Sequence, residues 1–224
     1  MTTTGFERAR SAEAKNMRQA AILDAAARLA AERSVREITL TEIAAAVGMH
    51  KSTMTRYFET REEIFLRLSS AAWEDWSQAV RVRLVELAAH VGTAPAGERA
   101  AAVADVLAET LVARPLFCDL LAQTPINLER GVSLEAVRGY KVQAIAASRS
   151  VAAAVLDVVP LSQDEAGNVV AAATALAGAF WQMAAPGTEL RRFYEQTPEL
   201  AHAVVDVGPR LAGLLTATLR GYAQ

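Results

Sequence analysis

Residues Thr39 to Arg61 read TLTEIAAAVGMHKSTMTRYFETR. Thr39 and Glu42 make a T-x-x-E capping box, which satisfies free N–H groups at a helix start. Ile43, Ala44 and Val47 follow at helical spacing and mark the inward face. Gly48 stops the helix and permits a sharp turn, because glycine takes positive φ without steric cost. A second short helix is predicted over Lys51 to Phe58. Met54 and Phe58 lie four apart on one face, suited to packing on Ile43 and Val47. Lys51, Ser52, Thr53, Thr55, Arg56 and Tyr57 are left to face outward. Two short helices joined by a tight turn, the second carrying hydroxyls, cations and an aromatic ring, are the parts needed to place a helix in a DNA groove.

Each of these residue types has a part in such a contact. Lys51 or Arg56 can donate to guanine O6 and N7, and threonine methyls can touch thymine methyls. Arg61, at the start of the next helix, joins a cation to free N–H groups and so suits a phosphate; Thr39 and Thr41 are similarly placed for the backbone. The candidate DNA-binding set is Thr39, Thr41, His50, Lys51, Ser52, Thr53, Thr55, Arg56, Tyr57 and Arg61. From periodicity alone, a solvated polar face explains these residues as well as DNA binding does.

The rest of the chain narrows the class. It has 224 residues, is 52% hydrophobic and carries a net charge of −2. That is ample for a core and excludes a generally basic nucleic-acid binder. Residues 1–67 hold 11 Lys and Arg against 9 Asp and Glu, and the remainder 12 against 16. The asymmetry has the sign of an N-terminal DNA contact. Cys118 is the only cysteine, so no intramolecular disulfide forms, as suits a reducing compartment. The N-terminus MTTTGFERAR has no apolar run of signal-peptide type. The longest uncharged apolar run, Val169 to Trp181, has 13 residues, too short to span a bilayer. A soluble cytoplasmic protein is expected.

The composition is helical throughout. A disordered tail is expected over 1–12, then a helix from about Ala14 to Arg33 with the stripe Ile22, Ala25, Ala26, Leu29 and Ala30. A fourth helix begins near Thr60 and continues through Trp73 and Trp76 to about Val91. Thr60-Arg-Glu-Glu reads as another capping box. Further helices are expected at 98–112, 115–123, 133–158, 162–184 and 200–220, set apart by Pro115, Pro125, Gly131, Pro160, Pro186-Gly187, Pro198 and Gly208-Pro209.

The order of residues over 18–66 resembles the N-terminal domain of the TetR family of bacterial transcriptional regulators. The resemblance rests on Ala20-Ala-Ile-Leu-Asp-Ala-Ala26, Thr39-x-x-x-Ile43-Ala44, Val47-Gly48, Lys51-Ser-Thr-Met54, Tyr57-Phe58 and Thr60-Arg-Glu-Glu-Ile64. It implies an all-α homodimer. A three-helix helix-turn-helix DNA-binding domain over 13–66 would be followed by a helical bundle over 67–224 that dimerises and often binds a small effector. Three positions depart from the family pattern. Ser34 stands where a glycine is usual, His50 where a Ser or Thr often caps the recognition helix, and Thr55 where a tyrosine is frequent. The operator therefore does not transfer from relatives.

No catalytic constellation stands out in the C-terminal two-thirds. There is no nucleophile elbow, P-loop or dinucleotide fingerprint. His50, His90 and His202 lack metal spacing with Cys118, so no metal and no cofactor is expected. Cys118 reads as a small buried hydrophobe, with a redox-sensing thiol as its alternative. Trp73, Trp76, Phe117, Leu121, Tyr140, Phe180, Trp181 and Met183 come from several helices and are the candidates for an apolar pocket. Plain core packing explains each of them singly. As a set they favour an apolar or aromatic effector, while Arg114, Arg138 or Lys141 would favour an acidic one. The last two long helices are the expected dimer surface, because the Ala- and Gly-rich first of them allows close approach. The expected function is a regulator, no enzyme, that binds a pseudo-palindromic operator and is released by an effector. The rivals are a helical protein-interaction adaptor and a helical-bundle enzyme using Cys118 or His90.

Overall fold

A computed structural model describes every residue except Met1, Thr2, Thr93 and Gln224. Ten α-helices follow one another among the described residues: α1 (Thr3–Glu32), α2 (Leu40–Ala46), α3 (Lys51–Met54), α4 (Arg61–Val91), α5 (Ala96–Val112), α6 (Pro115–Ile126), α7 (Leu134–Leu156), α8 (Gln163–Ala184), α9 (Glu189–Gln196) and α10 (Val207–Tyr222). Short 3₁₀ turns cover Leu128–Arg130 and Pro198–Ala203. No strand occurs among the described residues, so the all-α class stands.

Several boundaries differ from expectation. The tail expected over 1–12 is helix from Thr3 onward, since nothing between Phe6 and Ala14 breaks a helix; Met1 and Thr2 lie outside the described residues. The helix expected over 200–220 begins at Val207, and a separate amphipathic helix, α9, precedes it. Pro209 falls in the first turn of α10, where its missing N–H costs nothing. Pro125 sits one residue before the end of α6 instead of ending the helix at 123.

The chain divides into two compact units. The first comprises Met1–Leu68 together with Gln123–Arg138, and the second Ser69–Ala122 with Gly139–Gln224. The join of α6 to α7 belongs with the N-terminal helices in this division. The core of the first unit gathers Ile22, Ala25, Val35, Ile38, Ile43, Met54, Phe58, Ile64, Phe65 and Leu128, all buried. A Cβ on Gly131 would stand 2.8 Å from Glu62 Cγ, so this turn comes close to α4 because glycine occupies it.

In the second unit α10 packs on α5 and α8, and α5 on α8. Ser162 and Glu165 make a full capping box at the start of α8. The small residues of α8 serve two faces. Ala166, Ala173, Ala177 and Gly178 are buried within the chain, whereas Ala171, Ala175 and Ala179 face out. A Cβ on Gly178 would lie 2.9 Å from the Ala122 backbone nitrogen, so glycine there sets the closeness of α8 to α6. Part of the small-residue content of α8 is thus spent inside the protomer.

Candidate nucleic-acid interface

The helix-turn-helix is fixed at its start by the Thr39–Glu42 box. Thr39 Oγ1 accepts from the Glu42 amide at 3.2 Å, and Glu42 Oε2 accepts from the Thr39 amide at 2.8 Å. Arg33 at the end of α1 adds a bond of 2.8 Å to Glu42 Oε1. The Thr39 hydroxyl, the Arg33 guanidinium and the Thr39 amide together hold the Glu42 carboxyl down to about pKa 2. Glu42 is therefore ionised at any pH at which DNA is bound.

Gly48 takes φ +66° in the turn, the left-handed region that favours glycine. His50 occupies the N-cap of α3 with extended backbone and makes no side-chain capping bond. The regular α-helix is correspondingly short, ending at Met54 where Phe58 was expected. The chain then tightens into a turn. Arg56 and Tyr57 donate to the carbonyls of Thr53 and Met54, and Phe58 also bonds Met54. Thr55 spends its hydroxyl on the Ser52 carbonyl at 3.0 Å, which leaves its methyl as the outward group. Met54 and Phe58 are buried as expected.

The side chains of Thr41, His50, Lys51, Ser52, Thr55 and Arg56 are exposed, and those of Thr53 and Tyr57 half-buried. Neither the Lys51 ammonium nor the Arg56 guanidinium has a partner among the described residues. Gln19 of α1 donates its amide to the Tyr57 carbonyl at 3.2 Å and so locks this turn to the first helix. No local pattern in the sequence marks that bond, because its partners are 38 residues apart.

Arg61 is placed differently from expectation. Its guanidinium does not stand free for a phosphate. It donates from Nε to the Ile38 carbonyl and from Nη2 to the Val35 carbonyl, and pairs through Nη1 with Glu62 at 2.8 Å. The loop between α1 and α2 has carbonyls that no helix satisfies, and the nearby guanidinium fork answers two of them. Helix α4 is capped by Thr60, whose hydroxyl accepts from the Glu63 amide. The reciprocal bond reaches Glu59, not Thr60: Glu63 Oε2 accepts from the Glu59 amide at 2.9 Å. The expected capping box is thus shifted by one residue.

In the second unit Trp73, Trp76 and Phe117 form one ring cluster, with centroids 5.4 to 5.8 Å apart. Trp73 Nε1 donates to the Tyr140 hydroxyl at 3.2 Å, and Trp76 Nε1 to the Thr110 hydroxyl at 3.0 Å. Phe180 is buried, with the Arg210 guanidinium 5.5 Å from its ring centroid. Leu121 and Trp181 are half-buried. Met183 is 52% exposed and does not join a buried group. Arg114 is committed to Asp75 at 2.7 Å. The Cys118 thiol is buried and donates to the Leu111 carbonyl at 3.2 Å. Burial, aided by Asp119, pushes its pKa up to about 12, so the reactive thiolate is scarce. Among the described residues no three His, Cys, Asp or Glu side chains are grouped to hold a metal. No single helix there is long and apolar enough to cross a membrane.

A family model described as bacterial regulatory proteins of the tetR family matches residues 22–68, and one described as a tetracyclin repressor-like C-terminal domain matches 71–224. The chain belongs to the TetR family. A TetR-family chain is a DNA-binding transcriptional regulator. Among solved structures, the fatty acid degradation regulator FadR of Bacillus halodurans has the same fold. It is 14% identical at a TM-score of 0.55, over 90% of this chain and 96% of that one. AmtR of Mycobacterium smegmatis is 19% identical at a TM-score of 0.41, over 89% and 92%. No curated protein matches the chain.

Proposed function

We propose that the protein is a cytoplasmic repressor that binds a pseudo-palindromic operator as a homodimer and is released by a small apolar or aromatic effector. The observation that carries the DNA reading is the unpartnered pair Lys51, at the start of the helix after the Gly48 turn, and Arg56, in the turn that closes that helix. Thr41, His50, Ser52, Thr53, Thr55 and Tyr57 complete the contact surface, with Thr39 contributing through its place at the start of α2. Two copies related by a dyad would read half-sites about 34–36 Å apart or a multiple of that.

The dimer is assigned to α8 and α10. Their outward faces carry Ala171, Ala175 and Ala179 on one helix and Gly213, Leu214, Ala217 and Gly221 on the other. Small residues at i, i+4 and i+8 let a second pair of helices approach closely. Light scattering at micromolar concentration is expected to give twice the chain mass; a monomer removes the assignment. The effector is assigned to the aromatic group around Trp73, Trp76, Phe117 and Tyr140, with Leu121, Phe180 and Trp181. It acts through its different affinity for the two states of the dimer. Nothing in this reading asks the protein for catalysis.

The decisive test starts with selecting bound sequences from random DNA. Arg56→Ala is then expected to weaken binding to the selected operator by about tenfold or more, since a bidentate base contact contributes about 1–3 kcal/mol. Its melting temperature should stay that of the parent, because Arg56 holds nothing within the protein. Operator affinity unchanged in this variant takes Arg56 out of the contact set. The affinity should also fall with salt, log K dropping by about 0.9 per phosphate neutralised, a slope that a protein-binding adaptor would not show.

A further inference from the structure

A pocket of about 580 Å³ opens in the first unit, lined by Arg36 of the α1–α2 loop, Arg61 and Glu62 of α4, and Gln123, Ile126, Asn127, Leu128, Arg130 and Gly131 of the α6–α7 join. All of its lining belongs to that unit. The volume lies in the range of small-molecule sites, but the lining is polar and cationic where such sites are usually apolar. Glu62 is neutralised by Arg61 at 2.8 Å, and Arg61 is further taken up by the two loop carbonyls. The guanidinium groups of Arg36 and Arg130 have no partner among the described residues, so the pocket keeps two uncompensated positive charges. Gln123 supplies a second, independent sign. It is only 7% exposed, and its Oε1 accepts from Asn127 Nδ2 at 2.8 Å. That bond orients the side chain and leaves its own amide –NH₂, a pocket-lining donor, without a partner.

We propose that this pocket binds a small polar oxyanion, a phosphate- or carboxylate-bearing molecule, through Arg36, Arg130 and the Gln123 amide. Paired guanidinium groups and an amide donor held in place by Asn127 match an oxyanion's acceptors. The site is separate from the aromatic group assigned to the effector, and its chemistry is opposite. It shares Arg61 with the clasp on Ile38, the residue before the Thr39 cap. An occupant therefore touches the side chain that sets the start of α2, and binding should stabilise the folded first unit by mass action.

The test titrates the full chain with inorganic phosphate and, separately, with citrate, each against sodium chloride at matched ionic strength and pH, reading melting temperature and calorimetric binding. At least one oxyanion should raise the melting temperature saturably where chloride does not, and the comparison of the two arms tells phosphate from carboxylate. Arg36→Ala and Arg130→Ala should each weaken that binding by about tenfold. Both variants should keep the parent's melting temperature without oxyanion and its operator affinity. Three results overturn the proposal. One is no difference between either oxyanion and chloride. Another is parental oxyanion binding in both variants. The last is loss of operator affinity in the variants without any oxyanion, which would assign the two arginines to DNA phosphates.

Discussion

Trp76→Ala is expected to cost the second unit about 3–5 kcal/mol, the largest single effect in the chain. Trp76 is fully buried in the middle of α4. Its ring meets Trp73 edge-on at 5.6 Å and Phe117 at 5.8 Å, so alanine would open a cavity between two other large rings. The indole N–H also bonds Thr110 Oγ1, which donates in turn to the Val106 carbonyl at 2.7 Å. Truncation therefore removes packing and a buried hydrogen bond together. Trp76→Phe separates the two: it keeps a ring in the cluster and loses the N–H, at about 1 kcal/mol for the bond beyond the volume change. Thermal melting of both variants checks this, with a fall on the order of 10 °C expected for alanine. A melting temperature within a degree or two of the parent's for Trp76→Ala would mean that this cluster is not the packed centre of the unit.

The same residues show what the sequence could reveal. The inward stripe of α1, the Thr39–Glu42 box, the Gly48 turn and the burial of Met54 and Phe58 follow from spacing and capping, which act within a few residues. Those features were legible, and with them the helical class and the outward face of α3. What was not legible depends on partners far apart in the chain. The Gln19 bond to Tyr57 is one such case, and the return of residues 123–138 to the first unit is another. Periodicity also fails to separate a helix's two neighbours. The small residues of α8 signal close approach, but only the packing of Gly178 on Ala122 shows that part of it is internal. Composition groups Met183 with the aromatics, but its exposure on the outer side of α8 removes it from them. Helix α9 is hard to read from the sequence because its eight residues make barely two turns, and its apolar side, Leu190, Phe193 and Tyr194, buries no residue.

Arg61 is the sharpest of these cases, and Arg61→Ala is expected to destabilise the first unit by about 2–3 kcal/mol. A cation at a helix start reads as a phosphate ligand, yet this side chain is only 17% exposed and turned inward. It bonds the carbonyls of Val35 and Ile38, whose side chains are buried in the core, and its guanidinium lies 4.9 Å from the Phe65 ring centroid. Alanine would take the guanidinium donor away from both carbonyls and free the loop that leads into Thr39. Lysine would rescue only in part, since a single ammonium cannot reproduce the fork that reaches both carbonyls and Glu62. Two measurements separate the clasp from a phosphate contact. As a clasp, Arg61→Ala lowers the melting temperature, and folded protein at low temperature keeps the parent's dependence of operator affinity on salt. As a phosphate ligand, it would keep the melting temperature and reduce the salt slope by about one. Arg56→Ala, as the loss of a base contact, should also keep the melting temperature, but it should weaken binding to the selected operator and relax its specificity. The two arginines, five residues apart and alike in the sequence, are thus expected to fail oppositely: one in the fold that presents the recognition helix, the other in what that helix reads.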